Sequence, residues 1–165
     1  MTEQGKPSVW VGNDHGGYEL KQRLIPLLRE WGHEVVNVGS DTSDIVRYPY
    51  YAAKVAGAVS RGEADRGVLI CSTGIGMSMV ANMYRGVRAA LCTSTYTARM
   101  TRAHNDSNVL CLGGKTAGEF EIIDMLSTWL TTGYEGGRHD ISLGLIADAE
   151  SALLTGSEWA PPPGR

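Results

Sequence analysis

Cysteine is scarce and poorly placed for pairing: Cys71, Cys92 and Cys111 are all the chain has. Odd in number and without a CxxC pair, they read as reduced thiols of a cytoplasmic protein and exclude a disulfide frame or a zinc knuckle. No apolar run approaches the roughly 18 residues of a membrane span. The start, Met1-Thr2-Glu3-Gln4-Gly5-Lys6, has no apolar signal core behind it, so secretion is not expected. A dominant charge is missing too. Fifteen Lys and Arg against eighteen Asp and Glu leave −3, which gives neither nucleic acid nor an anionic membrane a reason to bind. Internal repeats and linkers are not found either, and 165 residues suit one domain at roughly 150 residues each. Hydrophobic residues at 42% and charged ones at 20% describe an ordinary globular chain. Glycine is plentiful. Many of the 21 stand at expected strand ends, where the backbone must come close to something.

Short apolar runs alternate with longer helical patterns. Val9 to Gly12 reads as a strand, followed by a helix whose inward face carries Tyr18, Leu20, Leu24, Leu27, Leu28 and Trp31. Pro26 inside that pattern predicts a kink. Glu34 to Val38 is a second strand, and a helix over Tyr51 to Ser60 follows Pro49. Gly67 to Cys71 is continuously apolar, as a central parallel strand buried on both faces requires. The turn Ser72 to Gly76 leads into a helix over Met77 to Tyr84. Val87 to Cys92 is a strand, Thr95 to His104 a helix, Asn108 to Leu112 a strand and Phe120 to Leu130 a helix. The pattern predicts an α/β fold, a three-layer αβα sandwich of Rossmann-like type on a five-stranded parallel sheet. A last helix is expected over Ile141 to Leu154 within a domain of residues 1–155, and positions 156–165, with three consecutive prolines, read as a flexible tail.

Four loops gather the chemistry: Asn13-Asp14-His15-Gly16-Gly17, Cys71-Ser72-Thr73-Gly74-Ile75-Gly76, His104-Asn105-Asp106 and Gly113-Gly114-Lys115. Read as post-strand loops, they are expected together on the carboxyl edge of the sheet, where such folds bind ligands. Familiar motifs fail one by one. Gly12 and Gly17 have P-loop spacing, but Tyr18-Glu19 stands where Lys and Ser or Thr belong. Met79 replaces the third glycine of a dinucleotide fingerprint. Met77 fills the arginine position of a phosphatase cradle. What survives is a thiol before a glycine turn and a helix amino end, where free amides can hold an oxyanion. Cys71 is also readable as a buried strand-end thiol, the commoner fate of a lone cysteine. Asp14 reads as a helix cap or as an acid, and His15, Lys115 and Arg138 as ligand contacts or plain surface. Asn105-Asp106-Ser107 matches a glycosylation sequon that the absence of a secretion signal sets aside.

In order along the chain stand Asn-Asp-His-Gly-Gly-Tyr-Glu-Leu-Lys, Tyr-Pro-x-Tyr-Ala, Gly-Glu-Ala-Asp-Arg-Gly, Cys-Ser-Thr-Gly-Ile-Gly-Met-Ser, Gly-Val-Arg-Ala-Ala, Tyr-Thr-Ala-Arg-Met, His-Asn-Asp-Ser-Asn-Val-Leu and Glu-Gly-Gly-Arg-His. From about Val9 to Ile146 the chain closely resembles the type B ribose-5-phosphate isomerases, a family that includes galactose-6-phosphate isomerase subunits. The resemblance implies aldose–ketose isomerisation of a sugar phosphate through an enediolate, without metal or redox cofactor. It makes Cys71 the base that moves a proton between C1 and C2. Some relatives use a glutamate where Met77 stands here. Thr73 and the amides of Gly74, Ile75 and Gly76 would hold the enediolate oxygens, and His104 with Asp14 would open the sugar ring. His15 and Arg138 would bind phosphate, and Asn105 sugar or oxyanion. Family members dimerise with shared sites, so Asn105 or Arg138 would serve the neighbour's pocket; whether dimers pair into tetramers stays open.

The chain departs from the family pattern at four places. Arg47 stands for an aspartate, Ser72 for a glycine, Lys115 for an arginine, and Ser142 for a second arginine after Arg138. Lys115 offers a point charge where a planar fork is usual. The expectation is that Arg47 and Lys115 contact substrate, Arg47 replacing the lost fork or reading another sugar end. Ribose 5-phosphate and ribulose 5-phosphate are the expected pair. Tetrose, allose or galactose phosphate, a non-catalytic phosphosugar binder and a mononucleotide module are the competitors.

Overall fold

A computed structural model of the chain describes residues 6–160 and 162. Most of the polar start, and positions 161 and 163–165 of the expected tail, lie outside the described residues. Among the described residues the order is β1 (Val9–Asn13), α1 (Tyr18–Glu30), β2 (Val35–Asn37), α2 (Tyr48–Ser60), β3 (Arg66–Cys71), α3 (Ile75–Ala81), β4 (Ala89–Leu91), α4 (Thr95–Asn105), β5 (Val109–Gly113), α5 (Glu119–Thr131) and α6 (Arg138–Leu154). A short 3-10 turn, His15–Gly17, joins β1 to α1.

The strands pair in the order β2-β1-β3-β5-β4, every pairing parallel. Alternation along β3 divides the core. Val68 and Ile70 face α1, α4 and α5, meeting Leu24, Leu28, Ala98, Leu126 and Trp129. Leu69 and Cys71 face α2 and α3, meeting Val55, Ala56, Met77 and Ala81. Helices therefore cover both faces, the arrangement that lets β3 be apolar without alternation. Helix α2 sits close to the sheet because Gly67 leaves space; a Cβ there would lie 2.6 Å from Val55 Cγ1. The chain leaves β1 towards β2 and returns to place β3 on β1's other side, so the loops after β1 and β3 diverge at the sheet's switch point.

Several boundaries differ from the sequence reading. Helix α1 runs through Pro26 as one element, and α2 begins at Tyr48, with Pro49 in its first turn, where a missing N–H costs no helical bond. Helix α3 starts two residues before Met77 because left-handed Gly74 (φ +76°) turns the chain immediately. Helix α6 begins at Arg138 and buries no residue against its own chain.

One placement is corrected outright. His104-Asn105-Asp106 precedes β5, and α4 runs back against the strand direction, so this loop lies on the amino edge of the sheet. The Gly67 amide, at the start of β3, donates to the Asn108 carbonyl at 2.9 Å. Cys71 ends the same strand, about 13 Å further along at the usual strand rise.

Candidate active site

The carboxyl edge is a bundle of three loops tied by backbone hydrogen bonds. The Asp14 amide donates to the Ile70 carbonyl at 3.2 Å, Gly114 to Cys71 at 2.7 Å and Lys115 to Ser72 at 3.1 Å. Gly16 packs on Ser72 so tightly that a Cβ would lie 2.2 Å from the Ser72 hydroxyl. Ser72 is thus seated against a glycine of the neighbouring loop.

Cys71 closes β3, buried at 7% exposure, and its Sγ accepts the Gly74 N–H at 3.0 Å. The left-handed backbone of Gly74 aims that amide at the sulfur. Thr73 Oγ1 accepts the Ile75 N–H at 3.3 Å. Of the amides expected to hold substrate oxygens, Gly74 and Ile75 therefore already serve the loop's own side chains. Gly76, in the first turn of α3, has no intrahelical acceptor. The other thiols are walled in. Burial pushes Cys92 up to about 11 and Cys111 higher still.

Asp14 realises its capping role: Oδ1 accepts the Gly16 N–H at 2.8 Å, with the side chain buried. Its Oδ2 lies 4.0 Å from His15 Nδ1. His15 Nδ1 also lies 3.2 Å from the Val46 carbonyl oxygen, which ties the β1 loop to the segment before Arg47. Arg47 caps α2, and the ring of the next residue, Tyr48, covers Gly76 closely enough that a Cβ there would lie 2.7 Å away. Arg47 and Lys115 are exposed, and neither forms an ion pair among the described residues. Two free cations thus flank the Cys71 loop.

His104, Asn105 and Arg138 form a second group on the amino edge. The turn that carries them is clamped. Asp106 adopts φ +44° and receives Arg102 Nη1 at 2.7 Å and Arg88 Nη2 at 2.9 Å. Trp129 Nε1 donates to Ser107 Oγ at 2.8 Å beneath it. His104 stacks on His139 with ring centroids 4.2 Å apart and planes 13° apart. Glu135 Oε2 lies 3.7 Å from Nε2 of each. Residue types and distances in this trio suit a metal, all ligand atoms lying within 4.8 Å of one another. Near-parallel rings, however, direct their in-plane lone pairs side by side, whereas a metal needs them to converge.

Glu135 and His139 stand in the Glu-Gly-Gly-Arg-His motif but were not singled out as site residues by sequence reasoning. A groove of about 610 Å³ lies on the same edge, lined by Asn105, Arg88, Met83, Ile146 and Leu153 among others. Cys71 does not line it. The expected site residues thus form two half-sites on opposite edges of one sheet.

The sequence profile of the ribose/galactose isomerase family matches residues 9–146. Among curated proteins, the chain is 46% identical to ribose-5-phosphate isomerase B of Escherichia coli, over 79% of this chain and 88% of that one. It is 43% identical to a putative sugar phosphate isomerase of Bacillus subtilis, over 88% and 99% respectively. Among solved structures, ribose-5-phosphate isomerase B of Clostridium thermocellum superposes with TM-score 0.87 at 44% identity, covering 88% of this chain and 99% of that one. The Mycoplasma genitalium enzyme with bound ribulose-5-phosphate superposes with TM-score 0.85 at 36% identity, over 87% and 96%.

Proposed function

The chain belongs to the ribose/galactose isomerase family, and from that premise we propose that it interconverts ribose 5-phosphate and ribulose 5-phosphate through an enediolate. Aldose–ketose isomerisation of a sugar phosphate is the family's chemistry and this chain's activity. The observation that carries the finer reading is the Cys71 sulfur at the end of the central strand, receiving the Gly74 amide beside the Thr73 hydroxyl.

Cys71 acts as the base in its thiolate form. It takes the proton from C2 of the open-chain aldose, and the C–H electron pair forms the C1–C2 double bond as O1 takes up the charge. The O2 proton passes to O1, C2–O2 becomes the carbonyl, and the thiol returns its proton to C1. Atoms and charge balance with no external reductant. In this reading the Gly76 amide and Thr73 hold the charged oxygens, donors worth most out of water. Arg47, Lys115 and His15 take the phosphate end.

His104, Asn105 and Arg138 reach such a substrate only from a second copy, since a strand length separates them from Cys71 in one chain. A homodimer with shared sites satisfies this. Helix α6 supports it, since it buries no residue fully and leaves Ile141, Ile146, Leu153 and Leu154 exposed. No helix of the described residues is long and apolar enough to cross a membrane.

A second reading, the same chemistry on a tetrose, allose or galactose phosphate, is favoured by one observation. An arginine stands at position 47 beside the Cys71 loop, and a serine at 142, where the family resemblance leads one to expect a second arginine. Incorporation of solvent deuterium at C1 and C2, compared across tetrose, pentose and hexose phosphates, decides between them. Fastest exchange with the pentose pair is expected. Faster exchange with another sugar overturns the choice of substrate, and exchange with none overturns the isomerase reading.

A further inference from the structure

Two members of the amino-edge trio, Glu135 and His139, have no part in the isomerase chemistry above. Glu135 is fixed from both sides. Its backbone N–H donates to the Ala103 carbonyl at 3.0 Å, one residue before His104. Gly136 and Gly137, both at φ +63°, then turn the chain directly into α6. Tyr134 Oη donates to Asp140 Oδ1 at 2.7 Å and closes that turn. The result places one carboxylate oxygen 3.7 Å from Nε2 of both stacked imidazoles, while His104 Nδ1 has no hydrogen-bond partner among the described residues.

We propose that Glu135 is a positioning residue that holds His104 in the Nε2–H tautomer, with His139 stacked behind to fix the ring plane, so that Nδ1 is the atom that transfers the ring-opening proton. A carboxylate at one imidazole nitrogen sets which nitrogen carries the proton. The 3.7 Å separation is longer than a hydrogen bond and close enough for the carboxylate charge to favour a proton on the facing nitrogen. In the step itself Nδ1 accepts the proton from O1 of the cyclic aldose phosphate. The C1–O4 bond then breaks with its electron pair going to O4, and the same proton is handed to O4. The imidazole ends as it began.

The proposal rests on the isomerase reading for its role, and its test separates the two. Ribulose 5-phosphate has its 5-hydroxyl blocked and cannot close a ring, so only the aldose direction needs ring opening. Two readouts are taken on wild type, Glu135→Ala and Glu135→Gln. The first is the imidazole tautomer of His104 from long-range ¹⁵N–¹H correlation spectra, in the equilibrium mixture of the two pentose phosphates. The second is kcat in each direction. The Glu135 side chain is exposed, so Glu135→Ala is expected to fold.

Wild type shows the Nε2–H form. Glu135→Ala mixes the tautomers and slows the aldose direction by about tenfold or more, a share of the ~10²–10⁴-fold typical of general acid–base help. The ketose direction stays within about twofold, a difference well under 1.4 kcal/mol. Glu135→Gln, which keeps an acceptor, restores much of both. An Nδ1–H tautomer in wild type, spectra indifferent to Glu135→Ala, or equal losses in the two directions overturn the proposal. A wild type without turnover removes the isomerase reading, and the tautomer measurement still decides the geometry.

Discussion

Gly74 donates its backbone N–H to the sulfur of Cys71 across 3.0 Å, from a left-handed conformation at φ +76°. The bond makes the conformation of one residue and the chemistry of another a single feature. An L-residue at position 74 is strained twice. The backbone region disfavours it, and a Cβ would stand 2.6 Å from Leu91 Cδ1 and 3.0 Å from the Leu112 carbonyl carbon.

Gly74→Ala is therefore expected to lower stability by about 1–3 kcal/mol, the cost of holding a side chain in that region, and to cut kcat while the sheet is retained. Thermal unfolding and turnover on the same sample check it. An unchanged melting temperature with full activity contradicts the geometry.

Thiol labelling should be selective. Burial holds Cys92 and Cys111 protonated far above neutral pH, whereas Cys71, 7% exposed at the strand end, receives the Gly74 amide of the following turn. Iodoacetamide near neutral pH, followed by peptide mass mapping, should modify Cys71 first and leave the other two until the protein unfolds. Sugar phosphate should slow that labelling. Modification of Cys92 ahead of Cys71 counts against the proposed base.

The opposite placement of Cys71 and His104 makes a prediction about subunits. Cys71→Ala and His104→Asn should each be nearly inactive in the aldose direction. Dissociated, mixed and reassociated, they should regain about a quarter of wild-type activity, the share of intact shared sites when subunits pair at random. No recovery, with mixed dimers shown to form, would mean that each site is built within one chain.

Arg47 stands exposed, with no ion pair among the described residues, beside the Tyr48 ring that covers Gly76. Arg47→Ala is expected to raise KM for the preferred sugar phosphate by about tenfold, near the ~1.5–3 kcal/mol of a charge-assisted hydrogen bond. It should leave kcat nearly unchanged. A KM unaffected for every phosphorylated sugar ends the idea that this arginine replaces the fork lost at Ser142.

The sheet was legible because its central strands have no need to alternate: Gly67 to Cys71 is apolar throughout, and both faces proved covered. The edge strands β2 and β4 are shorter than the runs that announced them, since a strand paired on one side only loses its ladder first at the ends. Cys71, Thr73 and Gly74 were readable as a thiol beside a glycine turn. The edge on which His104 lies was not. Nearness to a strand in sequence says nothing of which end is meant until the chain's direction is followed, and α4 returns against the sheet. Glu135 and His139 were visible as a motif, but their place beside His104 was not. Their meeting with His104 depends on a backbone bond to Ala103 across 32 positions that no local pattern encodes.

The most direct measurement replaces a single sulfur. Wild type and Cys71→Ala are incubated with the pentose phosphates in deuterated water, and label at C1 and C2 is followed by NMR beside a binding titration with ribose 5-phosphate. The account predicts exchange lost by at least about a thousandfold, within the reach of a removed general base, while binding changes little. Exchange that persists in Cys71→Ala would show that another group moves the proton, and the role given to Cys71 would be wrong.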